Sequence, residues 1–240
     1  MTALVKSELL KLRTTRLVPG LLAAFLGLIV LYVVAVVSQT DVTDLRLSPE
    51  APFGAAAAAV ILVLMLGVTV TAGEYRHGTI TATFLVSPRR ERVLLAKLVA
   101  AILLGLAFAL AGVVVNVVVG WLALGVKHAG VSPFEGSVTE ILGATLIGCA
   151  LWSGLGAAIG AVTRNQVTAI VAAVVWFLIA EPLLGTLLHQ YGDYLPGAAL
   201  GAIFEGHEGL SRTGGILASL GWIALIGAVG AVLVIRDDVN

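Results

Sequence analysis

Six separate runs of about 20 mostly apolar residues dominate this sequence and limit what it can fold into. They are Leu17–Val37, Phe53–Gly73, Leu98–Leu124, Ile141–Val162, Val167–Leu188 and Gly214–Ile235. An α-helix rises about 1.5 Å per residue, so each run is long enough to cross a hydrocarbon layer of about 30 Å. The sequence therefore predicts an all-α integral membrane protein with six transmembrane helices.

The composition supports this class over a soluble domain. Apolar residues make up 59% of the 240 residues and charged residues only 12%, and the mean hydropathy is +1.06. A soluble domain carries about twice that charged fraction. Because a soluble core cannot hide so much apolar surface, we treat residues 1–240 as a single transmembrane domain with the bilayer as its solvent.

The positions of the cations predict the orientation. Six spans place the segment before the first run and the segments after the second, fourth and sixth runs on one side of the membrane. Most of the cations lie in these four segments: Lys6, Lys11, Arg13, Arg16, Arg76, Arg89, Arg90, Arg92, Lys97, Arg164 and Arg236. The opposite loops contain only Arg46, Lys127 and Arg212. Since cytoplasmic loops of membrane proteins are enriched in Lys and Arg, both termini are predicted to lie in the cytoplasm.

The segment before the first run, residues 1–16, has a modest helical stripe in which Val5, Leu9 and Leu12 share one face. Lys6 and Arg13 lie beside that face. Such a helix can lie in the headgroup plane, where its cations meet anionic lipid. A frayed cytosolic helix that only retains the first span is the alternative interpretation.

A polar segment, residues 74–92, separates the second and third runs, and the surrounding sequence reads GEYRHGTITATFLVSPRRERVLLAK. We expect the second span to end at Gly73, and Thr79 to cap a short helix over Ile80–Val86. Ser87 and Pro88 then suit the N-cap and first position of the next helix.

The predicted short helix is amphipathic, with Ile80 and Phe84 four residues apart on one face. It lies between two spans and would present apolar residues to the cytosol. An exposed apolar patch of this kind indicates a docking surface for a partner. A helix resting on lipid fits the same pattern.

Polar residues inside the runs are few. Glu181 lies in the outer third of the fifth run, directly before Pro182, and either contributes to a translocation pathway or has a structural role. Asn116 in the third run could contact a substrate, although an interhelical hydrogen bond is the simpler interpretation. Gly156 and Gly160 form a G-x-x-x-G pattern that is typical of close helix packing.

The sequence does not favour an enzyme. It contains no G-x-x-x-x-G-K-[ST] phosphate loop, so this polypeptide cannot bind and hydrolyse ATP in that way. The four histidines are scattered, which predicts no metal site, and no nucleophile motif is present. The formal net charge is zero, so there is no bulk signal for nucleic acid. We assign no catalytic residue.

At its polar segments the sequence resembles the permeases of ATP-binding-cassette (ABC) transporters of type 2. The resemblance rests on SELLKLRTTR before the first run, with Glu8, Lys11 and Arg13, on EYRHGT after the second run, and on SPRRERVLLAK before the third. The fifth run with EPLL and the following YLPG also resemble this family. The EYRHGT-to-SPRR segment is the most specific part.

The resemblance implies a permease subunit of a bacterial exporter in the plasma membrane. A cytosolic ATPase subunit would bind ATP and Mg²⁺, so this chain needs no cofactor, and a second identical or homologous permease would complete the pathway. The short helix would be the coupling helix that docks the ATPase, with Glu74, Arg76, Gly78, Thr79, Ile80, Phe84 and Pro88 carried over to that role. A second cytoplasmic contact would involve Thr163, Arg164 and Asn165, and residues 189–212 would form an extracellular cap.

Two rival functions remain open: a non-transporting membrane scaffold or sensor that docks a cytosolic partner, and a membrane-embedded enzyme. The enzyme would require several titratable groups at one depth, and only Glu181 is predicted deep within a span. Apolar spans with few charges suit an amphiphile or a peptide drawn from the bilayer better than a small ion.

Overall fold

The computed structural model describes residues 2–13, 15–87, 89–130, 132, 136–205 and 209–236. Within these residues the chain forms eleven α-helices and no strand. They are α1 Thr2–Arg13, α2 Leu17–Gln39, α3 Val42–Leu47, α4 Ala55–Arg76, α5 Ile80–Val86, α6 Arg90–Val126, α7 Gly136–Thr163, α8 Gln166–Val175, α9 Glu181–Leu188, α10 Pro196–Glu205 and α11 Arg212–Arg236.

The six predicted spans are confirmed, because six helical stretches are long and apolar enough to cross a membrane: Leu17–Gln39, Ala51–Arg76, Arg90–Val126, Gly136–Thr163, Gln166–Leu188 and Arg212–Ile235. Two of them continue into the polar segment between the second and third runs. The second span ends at Arg76 instead of Gly73. The helix of the third span begins at Arg90, ahead of its apolar run at Leu98 and two residues after the predicted start at Pro88. Near these ends, Glu74 and Lys97 join the two spans by an ion pair of 3.0 Å.

The second and fourth spans form the centre of the bundle, with about two thirds or more of each buried. Their backbones approach closely through glycines on both helices. A β-carbon on Gly67 would overlap the Ser153 carbonyl, and one on Gly156 would overlap the Leu64 carbonyl. At Gly160 it would lie 3.0 Å from the Val68 oxygen. The prediction that Gly156 and Gly160 mediate close packing is therefore confirmed.

Polar contacts fix the two ends of the bundle. At one end Arg90 Nη1 donates to the Val234 carbonyl at 2.8 Å, which places the start of α6 beside the end of α11. At the other end Lys127 Nζ donates to the Thr40 carbonyl at 2.8 Å. We call these the terminal face and the distal face. Both the start of α2 and the end of α11 lie at the terminal face, as an even number of spans requires.

The fifth span is interrupted, as Glu181-Pro182 suggests. A π-helical turn, Trp176–Ala180, joins α8 to α9, and the Glu181 N–H donates to the Trp176 carbonyl five residues earlier. Proline has no N–H and its ring displaces the carbonyl four residues before it, so Pro182 cannot continue regular α-helical bonding. A local widening to π geometry accommodates this.

The predicted cap, residues 189–212, begins with a 3₁₀ turn, His189–Tyr194, followed by α10. Trp222 Nε1 donates to the Tyr194 carbonyl at 2.7 Å, while Gly215 lies against the Ala199 carbonyl. These contacts show that α10 packs antiparallel to α11, so the chain folds back along the bundle. Residues 206–208 lie outside the described part, and the extracellular location of the cap stays a prediction.

Candidate functional site

The segment between α4 and α6 folds as a helix, α5, at the predicted residues Ile80–Val86. A tight turn precedes it: Gly78 has a φ of +66°, which glycine adopts without steric cost. The Thr79 N–H donates to the Glu74 carbonyl at 3.0 Å. The turn therefore reverses the chain within a few residues of α4, and α5 is joined to that span without a flexible linker.

The predicted helix caps differ from the structure. Thr79 precedes α5, but its side chain makes no capping hydrogen bond. Ser87 ends α5, with its N–H donating to the Thr83 carbonyl at 3.0 Å, instead of starting the next helix. The third span begins at Arg90, after Arg89. Pro88 lies outside the described residues, so its predicted role stays untested.

The apolar residues of α5 are unequally exposed. Leu85 is 80% exposed, whereas Ile80 and Phe84 are half-buried. The Arg90 guanidinium lies 5.3 Å from the centroid of the Phe84 ring, an arrangement typical of a cation–π contact. The largest exposed apolar side chain of the helix is therefore Leu85, which was absent from the predicted docking residues because that prediction followed only the Ile80–Phe84 face.

Four charged side chains form a cluster beside α5, which we call the four-residue ion cluster: Glu8, Lys11, Glu74 and Lys97. Lys97 Nζ lies 2.6 Å from Glu8 Oε2 and 3.0 Å from Glu74 Oε1. Lys11 Nζ lies 2.7 Å from Glu8 Oε1 and 2.8 Å from Glu74 Oε1. The side chain of Lys97 is only 1% exposed, and those of Glu8 and Glu74 are 5% and 11% exposed. The cluster thus connects α1, α4 and α6.

Alternating charges make this burial tolerable. An uncompensated charge in a buried position is strongly unfavourable, but here each carboxylate contacts two ammonium groups and each ammonium contacts two carboxylates. Burial alone would lower the pKa of Lys11, but its hydrogen bonds and attraction to Glu74 and Glu8 outweigh this effect and raise the pKa above its usual value.

Thr83 connects α5 to the four-residue ion cluster. Its hydroxyl lies 3.2 Å from Glu74 Oε2, to which it donates, and it accepts from Lys11 Nζ at 3.3 Å. A displacement of α5 would therefore change contacts with both α4 and α1. Helix α1 packs against the bundle through the buried Leu12, and its location in the headgroup plane stays a prediction.

Sequence reasoning found parts of this cluster but not the cluster itself. Glu8 appeared only in a family-like motif, and Lys11 appeared there and among the cations that predict the orientation. Glu74 was placed after the second span, and Lys97 was counted among the loop cations. One signal was available: Lys97 stands in LLAKLVAA, where a lysine surrounded by apolar residues needs a buried partner.

The predicted second contact near Thr163, Arg164 and Asn165 forms the tight connection between α7 and α8. Asn165 is the N-cap of α8, and its side chain accepts from the N–H groups of Val167 and Thr168 at 3.0 and 3.1 Å. Arg164 has a φ of +52°, and the Thr163 hydroxyl donates to the Ile159 carbonyl at 3.0 Å. These contacts shape the turn, and its role in docking stays a prediction.

Arg76 and Gln166 join this turn to the end of α4. Arg76 Nη1 donates to Gln166 Oε1 at 3.3 Å, and Gln166 Nε2 donates to the Thr69 hydroxyl at 3.2 Å. Gln166 is buried. The two segments predicted to contact a partner therefore lie on the same face of the bundle, the terminal face.

Glu181 joins the interrupted fifth span to α10, and its predicted place in a translocation pathway stays a prediction. Its Oε1 accepts from the Ala198 N–H at 2.6 Å, and its Oε2 accepts from Trp176 Nε1 at 2.7 Å. The carboxylate thus binds the first turn of α10, where the unpaired N–H groups and the helix dipole favour an anion. It fixes the folded-back segment to the interrupted fifth span.

Asn116 makes an interhelical contact, the simpler of its two interpretations. Its Nδ2 donates to the Phe53 carbonyl at 2.8 Å, in the 3₁₀ turn before α4. The residue is 1% exposed, and its Oδ1 has no partner among the described residues. In this conformation Asn116 joins the third span to the start of the second.

No group of three or more His, Cys, Asp or Glu side chains within the described ranges is arranged to hold a metal ion. A cavity of about 430 Å³ lies beside Glu181, between the fifth span and the start of α10, and Trp152, Phe177, His189 and Asp193 also line it. Its open, mixed surface contrasts with the tightly packed glycine contacts between α4 and α7.

Comparison with known proteins identifies the family. The family model described as "ABC-2 family transporter protein" matches residues 4–180, which include the first four spans, α5, the four-residue ion cluster and the π-helical turn. None of the curated proteins compared with the chain matches it. With six spans and a match over most of its length, the chain belongs to the ABC-2 family of transporter membrane proteins.

Proposed function

We propose that the chain is the permease subunit of an ATP-driven ABC exporter in the bacterial plasma membrane. Its energy would come from a separate cytosolic ATPase subunit that binds ATP and Mg²⁺. Two permeases, identical or homologous, would surround one translocation pathway. Family membership supports the permease role, and the remaining parts rest on the arrangement of the terminal face.

The observation that carries the proposal is the double attachment of α5. A tight turn joins this helix to α4, and three residues separate it from α6. Thr83 adds a side-chain connection to Glu74 and Lys11. A helix held in this way can transmit a rigid-body displacement to two spans, whereas a flexible loop would absorb it.

Leu85 is the apolar contact that we assign to the ATPase. It is 80% exposed at the terminal face and lies on the helix that is attached to both spans. An exposed leucine of this kind supplies the apolar centre of a small interface, while the surrounding cations supply its polar rim. ATP-driven closure of the ATPase pair would move α5, and the second and fifth spans would re-pack to open the pathway outward.

The test is co-purification from the source organism. We expect the tagged chain to retain an ABC ATPase with a phosphate loop, identified by mass spectrometry, and Leu85→Glu to lose it. A buried, unpaired carboxylate is strongly unfavourable in an apolar contact. The matched control is Leu47→Glu, because Leu47 is 77% exposed on α3 at the distal face.

Two results would contradict the proposal. If Leu85→Glu retained the ATPase as well as Leu47→Glu does, α5 would not be the docking helix. If the ATPase bound but reconstituted vesicles containing the pair showed no ATP-dependent export, the non-transporting scaffold would be the better assignment. Measuring ATP hydrolysis in the same vesicles separates a failed interface from a failed transport step.

A further inference from the structure

Two cavities flank the π-helical turn of the fifth span and share Phe177 as a common wall. The first is the cavity of about 430 Å³ beside Glu181. The second, about 280 Å³, lies between α7, α8 and α11. Together they fall within the range of about 300–1,000 Å³ that is usual for small-molecule sites. We call them the acidic cavity and the apolar cavity.

The acidic cavity carries two carboxylates, Glu181 and Asp193, and no lysine or arginine lines it. In the described part of the chain, no cationic side chain forms an ion pair with either of them. The Glu181 carboxylate accepts from the Trp176 indole N–H and from the backbone N–H groups of Ala198 and Gly197, whereas a carboxylate has about four acceptor sites. Glu181 therefore retains one acceptor site for a cation, and Asp193 adds a second carboxylate to the cavity wall.

Aromatic rings complete the acidic cavity. Trp152 and Phe177 lie on its wall with their ring centroids 4.9 Å apart. The face of an aromatic ring attracts an organic cation, especially where water is partly excluded. Carboxylates beside aromatic rings favour an ammonium-type group over both an anion and a strongly hydrated metal ion.

The apolar cavity has a different character. Leu155, Ala172, Trp222 and Ile226 line it, and no charged residue does. Trp176 belongs to its wall and donates its indole N–H to Glu181 in the acidic cavity. The boundary between the two environments is thus only one or two side chains thick.

We propose that the two cavities form one binding site for a cationic amphiphile. The ammonium-type head would lie near Glu181 and Asp193 against the aromatic rings, and the apolar tail would enter the second cavity. The tail leaves lipid for an equally apolar space. The carboxylates therefore determine the selectivity for a cationic head group, and the apolar cavity determines how the amphiphile is oriented in the site. This proposal rests on the proposed function only in taking such an amphiphile as the transported substrate.

The test uses the full chain in phosphatidylcholine nanodiscs without an ATPase. The probe is 12-bromododecyltrimethylammonium, whose bromine quenches nearby tryptophans, and 12-bromododecyl sulfate is the matched anionic probe. Trp176 and Trp222 line the apolar cavity and report the tail. Trp121 is 61% exposed, so Trp121→Phe removes the background from quenching in lipid. We expect saturable quenching by the cation and at least about tenfold weaker binding of the sulfate.

Substitutions in each cavity distinguish binding of the head group from binding of the tail. Asp193→Asn should weaken binding of the cationic probe about tenfold without weakening binding of the anionic probe. Glu181→Gln should have the same effect, with an additional loss of thermal stability. Ala172→Phe should reduce tryptophan quenching by filling the apolar cavity. The matched control is Glu140→Gln, which removes a distal-face carboxylate that pairs with Arg212 and lines neither cavity.

Equal, non-saturable quenching by both probes would overturn the proposal, and so would unchanged affinity in Asp193→Asn. Absence of quenching together with a cross-link between two copies at this position would assign the cavities to a permease–permease interface instead. Failure of the exporter proposal looks different. In that case the cationic probe binds selectively, but vesicles with an ATPase neither export it nor change their ATP hydrolysis when it is added.

Discussion

The ammonium of Lys97 lies 2.6 Å from the Glu8 carboxylate, although 89 positions separate the two residues. Glu8 belongs to the helix before the first span, and Lys97 lies in the third span. Their pairing fixes α1 against the bundle and brings Lys11 to Glu74 and Thr83. Helix α5 is therefore supported from three directions, by α1, α4 and α6.

Lys97→Met should destabilise the protein by about 3 kcal/mol, because it leaves two buried carboxylates with Lys11 as their remaining partner. A thermal unfolding series in a mild detergent measures the loss. Lys6→Met is the matched control, since Lys6 is exposed on the same N-terminal helix as Glu8. Equal melting temperatures for the two variants would contradict the structural role of the Lys97 ion pairs.

The double variant Glu8→Leu, Lys97→Met should be more stable than Lys97→Met alone. Replacing both members of a buried ion pair by apolar residues is often neutral, whereas removing one leaves an uncompensated charge. The same unfolding series, completed with Glu8→Leu as a double-mutant cycle, gives the coupling energy. Additive effects of the two substitutions would mean that Glu8 and Lys97 do not interact.

Thr83→Val should leave the fold intact but weaken the coupling of ATP hydrolysis to transport. Valine has the shape of threonine without the hydroxyl that contacts Glu74 and Lys11. We expect normal co-purification of the ATPase and a reduced ratio of export to hydrolysis in vesicles. Thr81→Val is the control because Thr81 is exposed on the same helix, and an identical ratio in both variants would remove Thr83 from the transmission path.

Gly67→Ala should destabilise the protein by about 1–3 kcal/mol, the usual cost of overpacking, because its β-carbon would overlap the Ser153 carbonyl. Gly143→Ala is the control: it lies in α7 with nothing within 4 Å of a built β-carbon, and alanine favours helix over glycine. Thermal unfolding of both variants tests the α4–α7 contact. A stable Gly67→Ala protein would show that the two spans do not pack this closely.

The predicted orientation can be measured with single cysteines. The chain has one native cysteine, Cys149, which is buried, so new cysteines report with little background. In intact cells a membrane-impermeant maleimide should label Leu47→Cys at the distal face, and should label Leu85→Cys only after permeabilisation. The reverse pattern would place α5 outside the cell and exclude docking of a cytosolic ATPase.

The spans illustrate what a linear pattern can predict. Residues such as Leu17–Val37 must be buried in lipid wherever their neighbours go, so apolar length alone located the six helices. The close packing at Gly156 and Gly160 was likewise predictable, because small residues let the backbones of two helices approach closely within a bilayer. The end of the second span was predicted less well, since Glu74, Tyr75 and Arg76 belong to the helix despite their polarity.

Glu181 and Lys97 show where tertiary structure decided the outcome. An acid in an apolar span is costly by itself, and the sequence left its role open. The folded-back α10 supplies the Ala198 N–H that stabilises it, beside the Trp176 indole of its own span. Lys97 is tolerated only because Glu8 and Glu74 arrive from distant parts of the chain. The sequence by itself determined that the chain needs a membrane and a helical fold. Only the tertiary structure decided which charges meet, because electrostatic pairing depends on distances in space that the order of residues does not contain.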